Sequence, residues 1–252
     1  MRHLFDHWRH IAPRLRAAGS VALFLDFDGT LAGLRMRPDE VRLNDSTRRA
    51  IKRLAHNPRV HIWLISGRRL ADVRKRTRIP GIRYLGLHGW EGRGRTPLSP
   101  ETMRLLERAK RKLAGQIEHL PGIRMEDKGP VFVVHHRGAS DLQIGRARAS
   151  VSATMASLDG AFRVVECKHT WEFLPAAIGD KGTAVQHELS LFGRTGVPVY
   201  IGDDATDEAA FAALPHGVTI RVGRRSLTRA KFQLRNTNEV RRFLEKLEAE
   251  FS

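Results

Sequence analysis

Phe24-Leu25-Asp26-Phe27-Asp28-Gly29-Thr30 is the stretch on which the reading of this chain turns. The apolar segment ahead of it, from Val21 to Leu25, reads as a buried strand. Two aspartates two residues apart then follow at its tip, and Gly29-Thr30 breaks the extended pattern. Unpaired carboxylates at the end of a buried strand are costly. A divalent cation and a phosphate-handling site would compensate them. Taken alone, the five residues Asp26–Thr30 also suit a polar turn.

Outward from this stretch the first part of the chain alternates strand and helix. Asn44–His56 has a helical pattern, with Asn44 or Ser46 as its N-cap. Val60–Ile65 reads as a second buried strand ending at Ser66-Gly67-Arg68. A helix over Arg69–Arg76 and a third strand over Arg83–Leu87, ending at His88-Gly89, come next. Such alternation argues for a parallel α/β sheet.

The pattern changes near residue 96. A basic helix over Pro100–Leu120 precedes strands at Ile123–Asp127 and Val131–Arg137, joined at Lys128-Gly129. A helix over Asp141–Leu158 precedes a second hairpin, Phe162–Cys167 and Thr170–Leu174, turning at Lys168-His169. Beyond Pro175 the first pattern resumes: helix Gly182–Phe192, strand Val197–Ile201, helix Asp207–Leu214, strand Val218–Val222 and helix Glu239–Glu250. The expected organisation is an α/β core over residues 1–95 and 178–252, interrupted by an inserted α+β module over 96–177.

At 252 residues and 41% hydrophobic, the chain has the material for such a core. No apolar run reaches membrane-spanning length. The start, Met1 to Trp8, lacks the apolar centre of a secretory signal, and cytoplasm is the expectation. Cys167 is the single cysteine, so no intrachain disulfide forms. The net charge of +17 favours anionic partners such as phosphorylated metabolites. Arginines are spread along the chain with no nucleic-acid recognition motif beside them, so a solvated basic surface is expected rather than specific nucleic-acid binding.

Four short segments stand at strand ends or helix starts: Asp26-Phe27-Asp28-Gly29-Thr30, Ser66-Gly67-Arg68, Asp180-Lys181-Gly182, and Gly202-Asp203-Asp204-Ala205-Thr206-Asp207-Glu208. In open α/β sheets ligands bind outside the carboxyl ends of strands. Carboxylates there hold a hard cation, and a hydroxyl and a lysine receive phosphate oxygens. Singly, each segment has an ordinary reading as a turn, a solvated lysine or a helix cap.

In this order the set resembles the four motifs of the haloacid-dehalogenase-like superfamily. The resemblance implies a Rossmann-like parallel core with a small α+β cap. It implies Asp26 as nucleophile through an aspartyl-phosphate, and Asp28 as general acid, then base. Ser66 and Lys181 would hold the phosphoryl oxygens. Mg²⁺ would be held by the Asp26 carboxylate, the Asp28 carbonyl and Asp203, with Asp204 and Asp207 supporting it.

A narrower resemblance is to the trehalose-6-phosphate phosphatase family. It rests on Leu64–Arg68, Gly86-Leu87-His88-Gly89-Trp90-Glu91, the fourth motif, Glu126-Asp127-Lys128 with Val134-His135-His136-Arg137, and Trp171-Glu172-Phe173-Leu174-Pro175. It implies sugar contacts from Glu126, Lys128, Glu172 and Arg137, with Arg68 reaching phosphate or sugar. It also implies a functional link to a trehalose-6-phosphate synthase. From spacing alone, each cap charge is better read as part of a cross-strand ion pair, a reading that only the resemblance reverses, and His88 and Cys167 receive no role. The chain departs from the family at Ala176–Asp180 and Cys167–His169, which touches the cap rather than the core motifs. Rival readings are a phosphatase for sucrose phosphate or a glycosyl-phosphoglycerate, and a non-catalytic sugar-phosphate sensor.

Overall fold

The computed structural model describes residues 2–35, 37–92, 97–158, 160–167, 169–193, 196–224 and 227–251. The chain divides into two compact units, Met1–Arg93 with Asp180–Ser252, and Gly94–Gly179. The larger unit begins with β1 (Arg2–His3), α1 (Trp8–Ala17), β2 (Ser20–Leu25), α2 (Asp45–Ala55), β3 (Val60–Ile65), α3 (Leu70–Thr77) and β4 (Arg83–Leu85). The smaller unit contains α4 (Pro100–Ile117), β5 (Arg124–Asp127), β6 (Phe132–His135), α5 (Asp141–Ala156), β7 (Phe162–Cys167) and β8 (Thr170–Pro175). The chain then re-enters the larger unit as α6 (Lys181–Phe192), β9 (Gly196–Gly202), α7 (Asp207–Ala213), β10 (Val218–Val222), β11 (Phe232–Leu234) and α8 (Thr237–Ala249).

The larger unit is built on a seven-stranded parallel sheet in the order β1-β11-β10-β9-β2-β3-β4. Both faces are covered, which is why β2 and β3 read as nearly unbroken apolar runs. Leu23, Leu25, Leu64 and Ile201 point to one layer, with Phe243 and Leu244 of α8. Phe24, Trp63 and Tyr200 point to the other, with Ala184 and Val185 of α6 and Phe211 of α7. From β2 the chain winds one way to β3 and β4, and later the other way from β9 to β11. The switch between β2 and β9 is where a ligand crevice forms in such sheets.

Two short strands, β1 at the sheet's edge and β11 next to it, and the helix α1 were not legible in the sequence. Asn44, not Ser46, caps α2: its Oδ1 accepts the Ser46 amide at 2.8 Å. The third strand stops at Leu85 rather than running to Leu87. Leu87 and His88 take left-handed backbone angles, φ of 46° and 59°. Their amides turn back to donate to the carbonyls of Arg68 and Ser66, at 2.9 and 3.0 Å. Backbone strain of this kind costs about 1–3 kcal/mol per residue and persists where surroundings over-determine it. Here it ties down the Ser66–Arg68 loop.

The smaller unit is a four-stranded antiparallel sheet, β5-β6-β8-β7, with α4 and α5 on one face. Leu106, Leu113 and Ile117 of α4 and Ala147 and Val151 of α5 pack on Phe132, Val134, Trp171 and Phe173. The opposite face carries Glu126, Val133 and Glu172 in one row, fixed by the register of β5, β6 and β8. The helix expected to reach Leu120 ends at Ile117. Strand β6 ends at His135, so Arg137 lies in the turn beyond it rather than on the strand. Of the turn expected at Lys168-His169, Lys168 lies outside the described residues, as does the expected boundary at residues 95 and 96.

Candidate active site

Asp26 continues β2 by one residue, donating its amide to the Ile201 carbonyl of β9 at 3.0 Å. Its side chain is buried. The chain then folds into a tight turn in which Leu31 and Ala32 donate to the Phe27 carbonyl. Gly29 sits at φ 84°, and a Cβ there would stand 2.0 Å from Asp203 Oδ2. Only glycine satisfies both the left-handed angle and that approach. The DxDGT turn thereby brings the carboxylate of Asp203, just after β9, up to the tip of β2. Thr30 Oγ1 donates to Asp203 Oδ1 at 3.2 Å.

Lys181 is the first residue of α6, and Asp180 caps that helix reciprocally with Thr183. The cap fixes where the lysine stands. Its Nζ donates to Asp26 Oδ1 and to Asp207 Oδ1, each at 2.7 Å. All three side chains are almost wholly buried. Asp207 also accepts from Tyr200 Oη at 2.7 Å and from the Asp204 amide at 2.9 Å. Gly202 admits this carboxylate, since a Cβ there would lie 2.2 Å from Asp207 Cγ. Arg221 of β10 donates to the carbonyls of Asp203 and Asp204 and to Glu208. The fourth segment is therefore held from below by a buried guanidinium.

Among the described residues, Asp26, Asp203 and Asp207 offer carboxylate oxygens lying within 4.8 Å of one another. One ammonium does not balance three carboxylates. Burial first, opposed by Lys181 and aided by Asp207, pushes the Asp26 carboxyl up to about 7. Burial, with Asp26 and Asp207 beside it, holds Asp203 well above the usual carboxylate range. Burial works against the Lys181 ammonium, but Asp207 and Asp26 outweigh it and raise its pKa. Buried, crowded, oxygen-only donors suit a hard divalent cation, and the cluster can hold a metal ion.

The structure brings Asp26, Lys181, Asp203 and Asp207 together. Asp28 and Arg68 form a separate pair: Nε and Nη2 of Arg68 donate to the two Asp28 oxygens at 2.7 Å each. Arg68 Nη1 donates to Asp72 at 2.8 Å, and Asp72 in turn accepts from Arg76. Burial opposes the Arg68 charge, but Asp28 and then Asp72 raise its pKa. Ser66, at the end of β3, is buried and accepts the Arg68 amide at 3.1 Å. Asp204 Oδ1 accepts the Ala205 amide at 2.7 Å just ahead of α7, and its charge acts on Asp203. His88 is buried in the strained turn beside Ser66.

In the smaller unit, Glu126 and Glu172 lie in one row on the face of the sheet opposite α4 and α5, where Glu172 is buried, and Lys128, also buried, stands in the β5–β6 turn. Glu126 Oε2 is 2.7 Å from His135 Nε2. Burial raises the Glu126 pKa, but the His135 hydrogen bond and the Lys128 charge outweigh it and hold it low. Arg137 is at the other end of the hairpin from Lys128.

Tyr200, Arg221 and Lys110 escaped the sequence reading, and His135 stood in a quoted segment without a role of its own. Tyr200 was visible as the polar-tipped residue in Val197–Gly202, ahead of Asp203. Lys110 was visible as a lysine in phase with Leu106, Leu113 and Ile117. Arg221 gave no signal, because a strand arginine reads as solvated.

A parallel sheet with an aspartate pair after β2, a lysine opening α6 and acidic residues after β9 defines a haloacid-dehalogenase-like hydrolase fold. A haloacid dehalogenase-like hydrolase from Bacteroides thetaiotaomicron shares it at a TM-score of 0.63 and 16% identity, over 90% of this chain and 99% of that one. The chain belongs to the trehalose-phosphatase family, whose model matches residues 24–241. A trehalose-phosphate phosphatase of Mycobacterium tuberculosis is 35% identical over 242 residues, covering 90% of this chain and 61% of the relative. The chain thus spans about three-fifths of the length of the curated relatives it matches. The C-terminal domain of the Candida albicans trehalose-6-phosphate phosphatase shares the fold at a TM-score of 0.82 and 20% identity, over 96% of each chain. Among the described residues no helix is long and apolar enough to cross a membrane.

Proposed function

We propose that the chain hydrolyses trehalose 6-phosphate to trehalose and inorganic phosphate. The observation that carries this reading is the buried Lys181 ammonium shared between Asp26 and Asp207, 2.7 Å from each. Lysine in that place orients one carboxylate oxygen of Asp26 and leaves its second for attack. Asp26 displaces the sugar oxygen from phosphorus and forms an aspartyl-phosphate. Asp28, released from the Arg68 fork and protonated from solvent, gives that proton to the departing sugar oxygen. It then takes a proton from the water that attacks the aspartyl-phosphate, so that phosphate leaves, Asp26 is again a carboxylate and Asp28 again carries its proton. Ser66 and Lys181 hold the phosphoryl oxygens, and positioning with charge neutralisation carries most of such catalysis.

Asp26, Asp203 and Asp207 are the carboxylates to hold Mg²⁺, with the Asp28 carbonyl a further donor. Bound there, the ion would neutralise charge on the transferring phosphoryl group. The smaller unit acts as the specificity cap. Glu126, Lys128 and Glu172 offer acceptors and donors to a ring of hydroxyls, and such sites reject ligands that leave buried polar groups unpaired. The compartment we assign is the cytoplasm, since a charged sugar phosphate stays on the side of a membrane where it is made. A synthase that supplies trehalose 6-phosphate is the functional partner.

The deciding test is phosphate release from trehalose 6-phosphate, with and without Mg²⁺, beside sucrose phosphate and a glycosyl-phosphoglycerate. Preference for trehalose 6-phosphate supports the reading. Faster release from either rival substrate transfers the assignment to it, and tight binding without release makes the chain a sensor.

A further inference from the structure

Helix α4 presents Leu106, Ala109, Leu113 and Ile117 to the sheet of the smaller unit. Its other cations, Arg104, Arg108, Arg111 and Lys112, are exposed. Lys110 is different: it lies on the apolar side of the helix with its side chain only 6% exposed. Desolvating an ammonium costs several kcal/mol. A methionine would cover the same surface without that cost, so packing does not call for lysine here.

The ammonium is fully used. It reaches Asp127 Oδ1 and the Gly129 carbonyl at 2.7 Å each, and Glu107 Oε1 at 2.9 Å. Asp127 Oδ1 also accepts the Gly129 amide at 2.7 Å. The Lys128 amide donates to the Val131 carbonyl at 2.9 Å. The residues on both sides of Lys128 are thus tied to one buried point on α4. Gly129, at φ 83°, closes the turn.

We propose that Lys110 is a positioning residue for sugar recognition, acting through Asp127 and Gly129 to hold Lys128 in place. This rests on the reading that Glu126, Lys128 and Glu172 hold the sugar. An unbraced β5–β6 turn samples several arrangements, and substrate then has to select one, which weakens apparent affinity by the fraction competent. The substrate phosphate chemistry, carried by the larger unit's residues, is not affected by that turn.

The test is a double-mutant cycle read in KM for trehalose 6-phosphate and for p-nitrophenyl phosphate, with Tm recorded for each variant. Lys110→Met is expected to raise KM for trehalose 6-phosphate about tenfold, to change kcat less than about twofold, and to leave p-nitrophenyl phosphate hydrolysis as it was. Lys128→Ala should raise the same KM, and the double variant should match Lys128→Ala alone, because Lys110 acts only through Lys128. Lys110→Arg should recover part of the loss. If Lys110→Met does not fold, Asp127→Ala removes the same contact from its half-exposed side and carries the same expectation. An unchanged KM in Lys110→Met or its substitute, beside a raised KM in Lys128→Ala, overturns the proposal. Multiplying effects in the double variant overturn it too. An unchanged KM in Lys128→Ala removes the sugar-recognition reading itself, and this inference with it.

Discussion

The guanidinium of Arg68 grips both carboxylate oxygens of Asp28, each at 2.7 Å. Arginine alone among the cationic side chains makes that parallel two-point contact. Asp28 therefore has one orientation set by β3's end, and Arg68 has its own set by Asp72. Arg68→Lys keeps a charge but loses the fork. We expect it to lower kcat/KM for trehalose 6-phosphate about 10–100-fold, or roughly 1.4–3 kcal/mol, with the protein still folded. Steady-state kinetics beside a melting curve checks this; unaltered kinetics would mean that the pair does not position the acid.

Asp26→Asn tests the nucleophile. The amide is nearly isosteric and leaves Lys181 paired with Asp207, so the fold should hold. Turnover should fall on the order of 10³-fold or more, as for loss of a covalent catalyst. Phosphate release by a highly purified variant at near the parent rate would eliminate the aspartyl-phosphate.

Chelation should abolish activity and Mg²⁺ should restore it. The pH dependence has a definite sign. Burial pushes the Asp26 carboxyl up to about 7, against about 4 for an ordinary aspartate. Between those values the folded, metal-free protein keeps a proton that the unfolded chain has released. This group's contribution to stability is therefore complete below about pH 4 and declines as pH rises to about 7. A metal must displace that proton. Mg²⁺ should raise Tm little at pH 5.5 and more at pH 8. Equal shifts at both pH values would separate Asp26 from the metal site.

Glu126→Ala should lower kcat/KM for trehalose 6-phosphate by about 2–4 kcal/mol, the scale for truncating one partner of a buried charged contact. The loss on p-nitrophenyl phosphate should be much smaller, since that ester has no sugar hydroxyls. Matching losses on the two substrates would reassign Glu126 to support of the fold, through its contact with His135.

The core was legible because its signals are local and of one kind. Apolar runs such as Val60–Ile65 mark parallel strands, and each acidic or hydroxyl segment follows directly from one. Lys181 lies 155 positions after Asp26, with Asp203 and Asp207 later still, yet all stand in segments that announce themselves. What was illegible depends on partners far away in sequence. The Asp28–Arg68 fork needs the left-handed turn at Leu87-His88 to hold its loop, and a leucine in that conformation leaves no compositional trace. Strands β1 and β11, of two and three residues, exist only because each pairs with a neighbour already in the sheet. Arg137 read as a strand residue because Val131–Val134 sets an apolar run whose end the sequence does not mark.

The insertion of the smaller unit also governs when the chain can fold as it leaves the ribosome. Strand β2 is emitted early, but it sits in the sheet between β3 and β9, and β9 begins at Gly196. Until then one edge of β2 has no ladder partner, and Asp26 awaits an ammonium 155 positions downstream. The smaller unit draws its own apolar interior wholly from Leu105 to Phe173, so it can condense while the surrounding sheet is still incomplete. A nascent chain stalled near residue 180 would then carry a protected smaller unit within an open, protease-sensitive half-sheet, and the larger unit would close only after its late strands arrive.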